Sequence, residues 1–181
     1  MAAVPASLGG MIAMNFGCWD NEMATIISYI DVYIPQQGIQ RLHSHECNFG
    51  YRSSIFQTKP WIILQAGLHV TPSQKNTVTQ TVKSYVQQRC NKQPMRAKTF
   101  GSIFENPKNH TAALLIEQAG LKGFKLNQAK ISDHHANFME NTDNCSAEEA
   151  LELIQHVQHH VQKNNNIALK PEVHIFDDPR T

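Results

Sequence analysis

The alternation of apolar and polar positions predicts a strand over Thr25–Ile34, with Ile26, Ser28, Ile30, Val32 and Ile34 sharing one side. Pro35-Gln36-Gln37-Gly38 then supplies a turn, and Ile39–Leu42 reads as the partner strand of a hairpin. Trp61–Val70 is a second long strand, stopped by Thr71-Pro72. Helical spacing takes over in Asn76–Gln88, where Val78, Val82, Tyr85 and Val86 recur on one face. Residues 6–16 read as a short buried helix or turn. Thr111–Ala119 carries Ala112, Leu115, Ile116 and Ala119 on one face, with Gly120 at the C-cap position. Short strands follow at Ala129–Ile131 and Ala136–Met139. Ser146-Ala-Glu-Glu149 is a capping box, because the serine oxygen accepts a first-turn amide while Glu149 reaches back. It opens a helix to about Lys163 with Ala150, Ile154, Val157 and Val161 inward. Asn164-Asn165-Asn166 breaks that helix, and Pro171–Ile175 closes the pattern as a strand. The class is α+β, with a boundary near Lys92–Phe100 and no internal repeat.

Composition narrows the functional classes. The 181 residues carry 16 Lys+Arg against 15 Asp+Glu, and polarity comes instead from 14 Asn and 15 Gln. That balance excludes a nucleic-acid binder relying on bulk positive charge. The apolar runs fall short of the ~20 residues a membrane span needs. The first basic residue is Arg41, so the apolar N-terminus reads as folded sequence rather than a secretory leader. Cys18, Cys47, Cys90 and Cys145 form no CxxC pair and are expected as free thiols of a cytoplasmic protein.

Three segments would be costly without a task. Phe49-Gly50-Tyr51-Arg52 sets a Tyr and an Arg beside a Gly; Gly101-Ser102-Ile103-Phe104-Glu105-Asn106-Pro107 embeds a Ser; Lys170-Pro171-Glu172-Val173 puts a carboxylate at the start of an apolar strand. Taken singly they read equally as a surface turn, a capping Ser and a strand-edge carboxylate. Histidines offer other chemistry: His156 and His160 are spaced i,i+4, with His159 adjoining. Zinc wants third and fourth ligands that no Cys or carboxylate supplies at matching spacing, so a solvated face is expected there and no metal site.

Taken in order, the motifs resemble the UDP-N-acetylenolpyruvoylglucosamine reductases (UDP-N-acetylmuramate dehydrogenases). The anchors are Val4-Pro5-Ala6-Ser7-Leu8-Gly9-Gly10 with Asn15-Phe16-Gly17; Phe49–Arg52; Lys92-Gln93-Pro94; Gly101–Pro107; Glu117–Gly123; His135-Ala136-Asn137-Phe138; and Pro171-Glu172-Val173. The short link from Pro107 to Ala112 looks like the family's second type. The resemblance implies the second half of a FAD-binding α+β domain over residues 1–93, a small α+β substrate-binding domain over 94–170, and a strand and tail over 171–181. It also implies FAD as cofactor, NADPH as reductant, and UDP-N-acetylglucosamine enolpyruvate as substrate, with no nucleic-acid or membrane partner. By motif match Arg52 holds the substrate carboxylate, Ser102 delivers a proton and Glu172 orients and polarises. Tyr51, Lys92 and Asn106 fall near the substrate, and Gly9, Gly10, Asn15 and Gly17 lie along the flavin.

The chain departs from the pattern at Ala6, Phe100 and Asn127-Gln128, where the family favours glycines or a small residue, and at Trp19-Asp20-Asn21, where it tends to have Tyr-Gly-Gly. Met1 falls almost directly before the Pro5 motif. Part of the flavin site is therefore expected from a separate upstream FAD-binding polypeptide, or else the chain is a UDP-sugar-binding remnant without flavin chemistry.

Overall fold

The computed structural model describes residues 3–19 and 21–175. The chain divides into two compact units, Met1–Tyr85 and Val86–Thr181, each with its own apolar core. The mixed helix and sheet expected from the sequence is present in both.

The first unit is built on the strand β3 (Ile27–Ile34), after a short helix α1 (Leu8–Ala13) and the two-residue strands β1 (Gly17–Cys18) and β2 (Asn21–Glu22). It pairs antiparallel with β4 (Gly38–His43) on one side and β5 (Ile62–Leu68) on the other. Side chains alternate across a strand, so Ile30, Val32 and Ile34 turn into the core with Met11, Ile12, Met23 and Leu42. The expected phase fails at the start of β3. A register shift between Ile27 and Tyr29 lets Ile27, rather than Ser28, fill the core. On the other face Asp31 accepts two hydrogen bonds from Arg41 at 2.7 and 2.8 Å and one from Gln65 at 2.6 Å. These bonds, Arg41's foremost, hold the Asp31 carboxyl at about 2. Gly67 is obligatory opposite this network, since a Cβ there would lie 2.3 Å from the Tyr29 ring.

Helix α2 (Lys75–Lys92) runs past its predicted limits at both ends. Its apolar face stays largely uncovered, with Val78 and Val82 exposed. Tyr85 and Val86 are half-buried, Tyr85 stacked on Trp19 with ring centres 4.6 Å apart. No described helix is long and apolar enough to cross a membrane.

In the second unit, α3 (Ala112–Gln118) and α4 (Ala147–Asn165) cover a sheet ordered β6 (Lys125–Leu126), β7 (Ala129–Ile131), β8 (Met139–Asn141). Leu115 and Ile116 of α3, Ile131 of β7, and Leu153, Val157 and Val161 of α4 form the core with Ile103 and Phe104. The capping box on α4 is complete. Glu149 donates its amide to Ser146 Oγ at 3.2 Å, and Glu149 Oε2 accepts the Ser146 amide at 2.9 Å. The β6–β7 turn is made by Asn127 in the left-handed region (φ 52°). Asparagine enters that region at little cost because its short amide bonds locally.

Three expectations need correction. Ala136–Phe138 is a turn leading into β8 rather than a strand, closed by the Phe138 amide on the His135 carbonyl at 2.9 Å. Pro171–Ile175 is not a regular strand either; it makes one bridge, Pro171 to Phe104. Pairing stops there because the partner segment turns away at Gly101, φ 93°; the remainder of the expected tail, 176–181, lies outside the described residues. The helix histidines are a solvated face only at His159: His156 is half-buried, parallel on Phe124 with ring centres 4.5 Å apart, and half-buried His160 follows at 4.0 Å. All four cysteines are free thiols, and burial pushes Cys47 up to about 11, away from reactivity.

Replacing the capping serine, Ser146→Ala, is expected to cost about 1 kcal/mol in denaturant unfolding. Burial holds His135 and His156 below their ordinary value. The unfolded chain therefore binds more protons once pH falls below about 6.5, so their contribution is complete above that pH and is lost descending through the folded value. His156→Phe, which keeps a ring against Phe124, is expected to lessen the stability lost between about pH 7 and pH 5; an unchanged loss would count against this account.

Candidate active site

In the first unit the chain reverses through Gly50–Ser53, whose end residues exchange both backbone hydrogen bonds at 3.0 and 3.2 Å. Tyr51 and Arg52 form the tip, and Arg52 sits in the left-handed region at φ 52°. A side chain other than glycine or asparagine held there stores strain, a feature that clusters at functional sites. The turn is fastened to the C-terminal end of α1. Gln57 Nε2 donates to the Arg52 carbonyl at 2.9 Å and to the Ala13 carbonyl at 3.0 Å, and Ser54 Oγ donates to Ala13 at 2.6 Å. The guanidinium is half-buried, 5.2 Å from the centre of the Tyr51 ring and 5.9 Å from that of Phe16.

Asn15 is buried beside this turn. Its amide donates to Glu22 and to the Gly50 carbonyl, both at 2.9 Å, and accepts the Ala24 amide at 3.0 Å. A Cβ on Gly17 would lie 2.9 Å from Asn21 O and Glu22 Cγ and 3.6 Å from Arg52 Nη1, so only glycine fits. Asn15, Gly17, Tyr51 and Arg52 thus meet in one corner, joined by Glu22 and Gln57, which the sequence did not single out. Gly9 and Gly10 lie along α1, where the Gly10 amide donates to Ser7 Oγ at 3.1 Å.

The second unit holds Ser102 and Glu172, both half-buried, on neighbouring backbones. Ser102 follows Gly101, makes a bridge to Phe138, and precedes Ile103, whose carbonyl accepts the Glu172 amide at 2.8 Å. Next to it, the Lys170 carbonyl accepts the Glu105 amide at 2.9 Å, and Lys170 Nζ pairs with Glu105 at 2.7 Å. The opposite edge is held by Asn137. Its carbonyl accepts the Ile103 amide at 2.9 Å, and its side chain bonds both the N–H and the C=O of Phe104, at 3.0 and 2.8 Å. The His135 ring accepts the Asn137 amide through Nδ1 at 3.2 Å. Asn106 Oδ1 accepts the Ala112 amide at 2.9 Å at the start of α3, and Lys92 is exposed at the end of α2. Asn137 was legible as a member of the His135–Phe138 motif, but the sequence assigned it no role.

The arrangement offers two chemical elements, one per unit. The first is a cation on a strained, well-fastened turn, suited to a carboxylate or another anion through its planar fork. The second is a hydroxyl and a carboxyl on adjoining irregular segments, suited to moving and directing a proton. Among the described residues no group of three or more His, Cys, Asp or Glu converges as a metal centre.

Residues 93–176 match the family model for the C-terminal domain of UDP-N-acetylenolpyruvoylglucosamine reductase. The reductase of that name from Streptococcus suis (strain 05ZYH33) is 36% identical over 176 residues, which is 97% of this chain and 58% of the relative. That from Bacillus subtilis (strain 168) is 35% identical over 180 residues, 99% of this chain and 59% of the relative. The crystal structure of UDP-N-acetylenolpyruvylglucosamine reductase from Thermus caldophilus matches with a TM-score of 0.83 and 29% identity, covering 96% of this chain and 62% of that one. Over nearly its whole length the chain is therefore similar to the UDP-N-acetylenolpyruvoylglucosamine reductases, and it spans somewhat more than half the length of the relatives it matches.

Proposed function

We propose that this chain supplies the substrate-handling part of a reductase that converts UDP-N-acetylglucosamine enolpyruvate to UDP-N-acetylmuramate at the expense of NADPH, a cytoplasmic step of peptidoglycan precursor synthesis. The observation that carries the reading is the meeting of Ser102 and Glu172 on adjoining backbones from segments far apart in sequence.

Addition of hydride to the terminal carbon of an enolpyruvyl group leaves negative charge on the neighbouring carbon and its carboxylate. Arg52 opposes that charge with a fixed guanidinium, which needs no reorganisation as the charge grows. Ser102 delivers the proton to the carbanion; a hydroxyl is acidic enough only against so strong a base in a site that excludes water. Glu172 orients the hydroxyl. Tyr51 and Asn106 line the substrate, and Lys92 meets the diphosphate as a point charge. Bound FAD would supply the hydride.

Gly9 and Gly10 offer bare backbone that fits one edge of a flavin, whereas Gly17 is closed off by Asn21 and Glu22 and serves the loop itself. Both amide hydrogens of Asn15 are already committed to Glu22 and Gly50. Its part is therefore to shape the Gly17 loop rather than to bond the ring. The remainder of the flavin site belongs to sequence of the kind that makes the relatives longer than this chain, whether carried on the same polypeptide or a separate upstream one.

Purified together with the sequence that completes its flavin site, the protein is expected to be yellow and to consume NADPH when given the enolpyruvyl sugar; a colourless assembly that binds UDP-sugar without turnover would instead mark a binding module. In the active form, Ser102→Ala is expected to lower product formation about 10²–10⁴-fold while flavin reduction by NADPH is unchanged, and normal turnover by that variant would remove Ser102 from the mechanism. Arg52→Gly should relieve the left-handed strain, raising stability by about 1 kcal/mol, yet reduce turnover by about 10²-fold or more. Denaturant unfolding and steady-state rates on one preparation measure both.

A further inference from the structure

Residues 102–105 are held on both sides by very little regular pairing. One edge makes a single bridge, Ser102 to Phe138, and the other a single bridge, Phe104 to Pro171. Isolated bridges make weak ladders, and Ile103 and Phe104 are fully buried, where unpaired backbone groups are expensive. The missing pairing comes from one side chain. Asn137, itself buried, turns its amide edge-on to Phe104, giving Nδ2–H to the carbonyl and taking the N–H on Oδ1. That is the pair of bonds a strand residue makes with its antiparallel partner. The backbone of Asn137 adds a third bond, to Ile103, and its own N–H is fixed on the His135 ring. Only an amide carries a donor and an acceptor on one planar group.

We propose that Asn137 is a positioning residue for Ser102: its side-chain amide substitutes for a strand, setting the register of residues 102–105 and through Ile103 the place of Glu172. The proposal rests on the reading of Ser102 as proton donor only for its consequence in catalysis. The clamp itself is tested on the full chain without turnover.

Amide hydrogen exchange resolved by residue is compared in the parent, Asn137→Asp and Asn137→Leu. In Asn137→Asp at neutral pH the ionised carboxylate has no donor for the Phe104 carbonyl. Protection of the Ile103, Phe104 and Glu172 amides is expected to fall about tenfold or more, while Ile131 and Val157 in the same unit keep theirs. Glu172 is the telling position, since Asn137 does not bond it. Acidification makes the introduced carboxyl neutral, with one donor and one acceptor, and protection is expected to return to that of the parent at the same pH. The carboxylate introduced at 137 favours protonation of the adjacent His135, so the restored protection is compared at an acid pH where that imidazole is charged in parent and variant alike. Asn137→Leu, which fills space without polar atoms, should lose protection at both pH values.

If Asn137→Asp does not fold at neutral pH, folding on acidification is the same positive result, and failure to fold at either pH overturns the proposal. It is equally overturned if Asn137→Leu keeps the parent's protection, or if the Asp variant loses protection evenly across the unit. Full turnover by Ser102→Ala alongside acid-reversible loosening in Asn137→Asp would sink the catalytic reading and leave the clamp standing.

Discussion

A backbone taken out of water must find a partner for every N–H and C=O, and in this protein that demand is sharpest at residues 102–105. The segment passes through the second unit's core, where Ile103 and Phe104 have no exposure worth counting. Its neighbours, 137–138 on one side and 170–172 on the other, are irregular segments rather than long strands. The hydrogen bonds that remain are therefore few and each one matters. They run from Asn137 through Ile103 to Glu172, and from Lys170 to Glu105, so satisfying the buried backbone also brings Ser102 and Glu172 together. The chemistry proposed for that pair uses an arrangement that the core requires in any case.

The first unit meets the same demand with the same kind of side chain. Asn15 closes the loop that carries Gly17, and Gln57 fastens the carbonyl of Arg52 to the end of α1. The amide-rich composition thus has a structural use beyond solubility. It also explains how a chain with nine glycines makes so many tight reversals. Of the ten non-glycine residues with positive φ among those described, six are asparagines, so asparagine stands in for glycine at turn after turn. Asn127, one departure from the family's glycines, is such a case. Trp19, also at positive φ, is held by stacking on Tyr85.

Short-range features were largely legible. The β3–β4 hairpin, β5, β7 and the capping box of α4 follow from alternation, turn residues and a Ser-to-Glu spacing that act within a few residues. The resemblance was legible too, because the family's motifs lie in order along nearly the whole chain. Apart from the local turn at Ala136–Phe138, the errors share a cause. Ile27 enters the core through a bulge, the 171–175 strand is cut short by the turn at Gly101, and His156 is drawn out of solvent by Phe124. Each depends on a partner distant in sequence, and periodicity carries no record of it.

By itself, then, the sequence determined the class of fold, the helices and hairpins, and the three motifs from which a guanidinium, a hydroxyl and a carboxyl could be named. Only the tertiary structure decided that Ser102 lies against the Glu172 segment, that Arg52 is strained and fastened by Gln57, and that Asn137 grips Phe104. The reason is physical. Local pattern is written by neighbours along the chain, whereas the bonds from Asn137 to Phe104 and from Asn15 to Gly50 span 33 and 35 residues, and which donor meets which acceptor is settled only when the chain has packed.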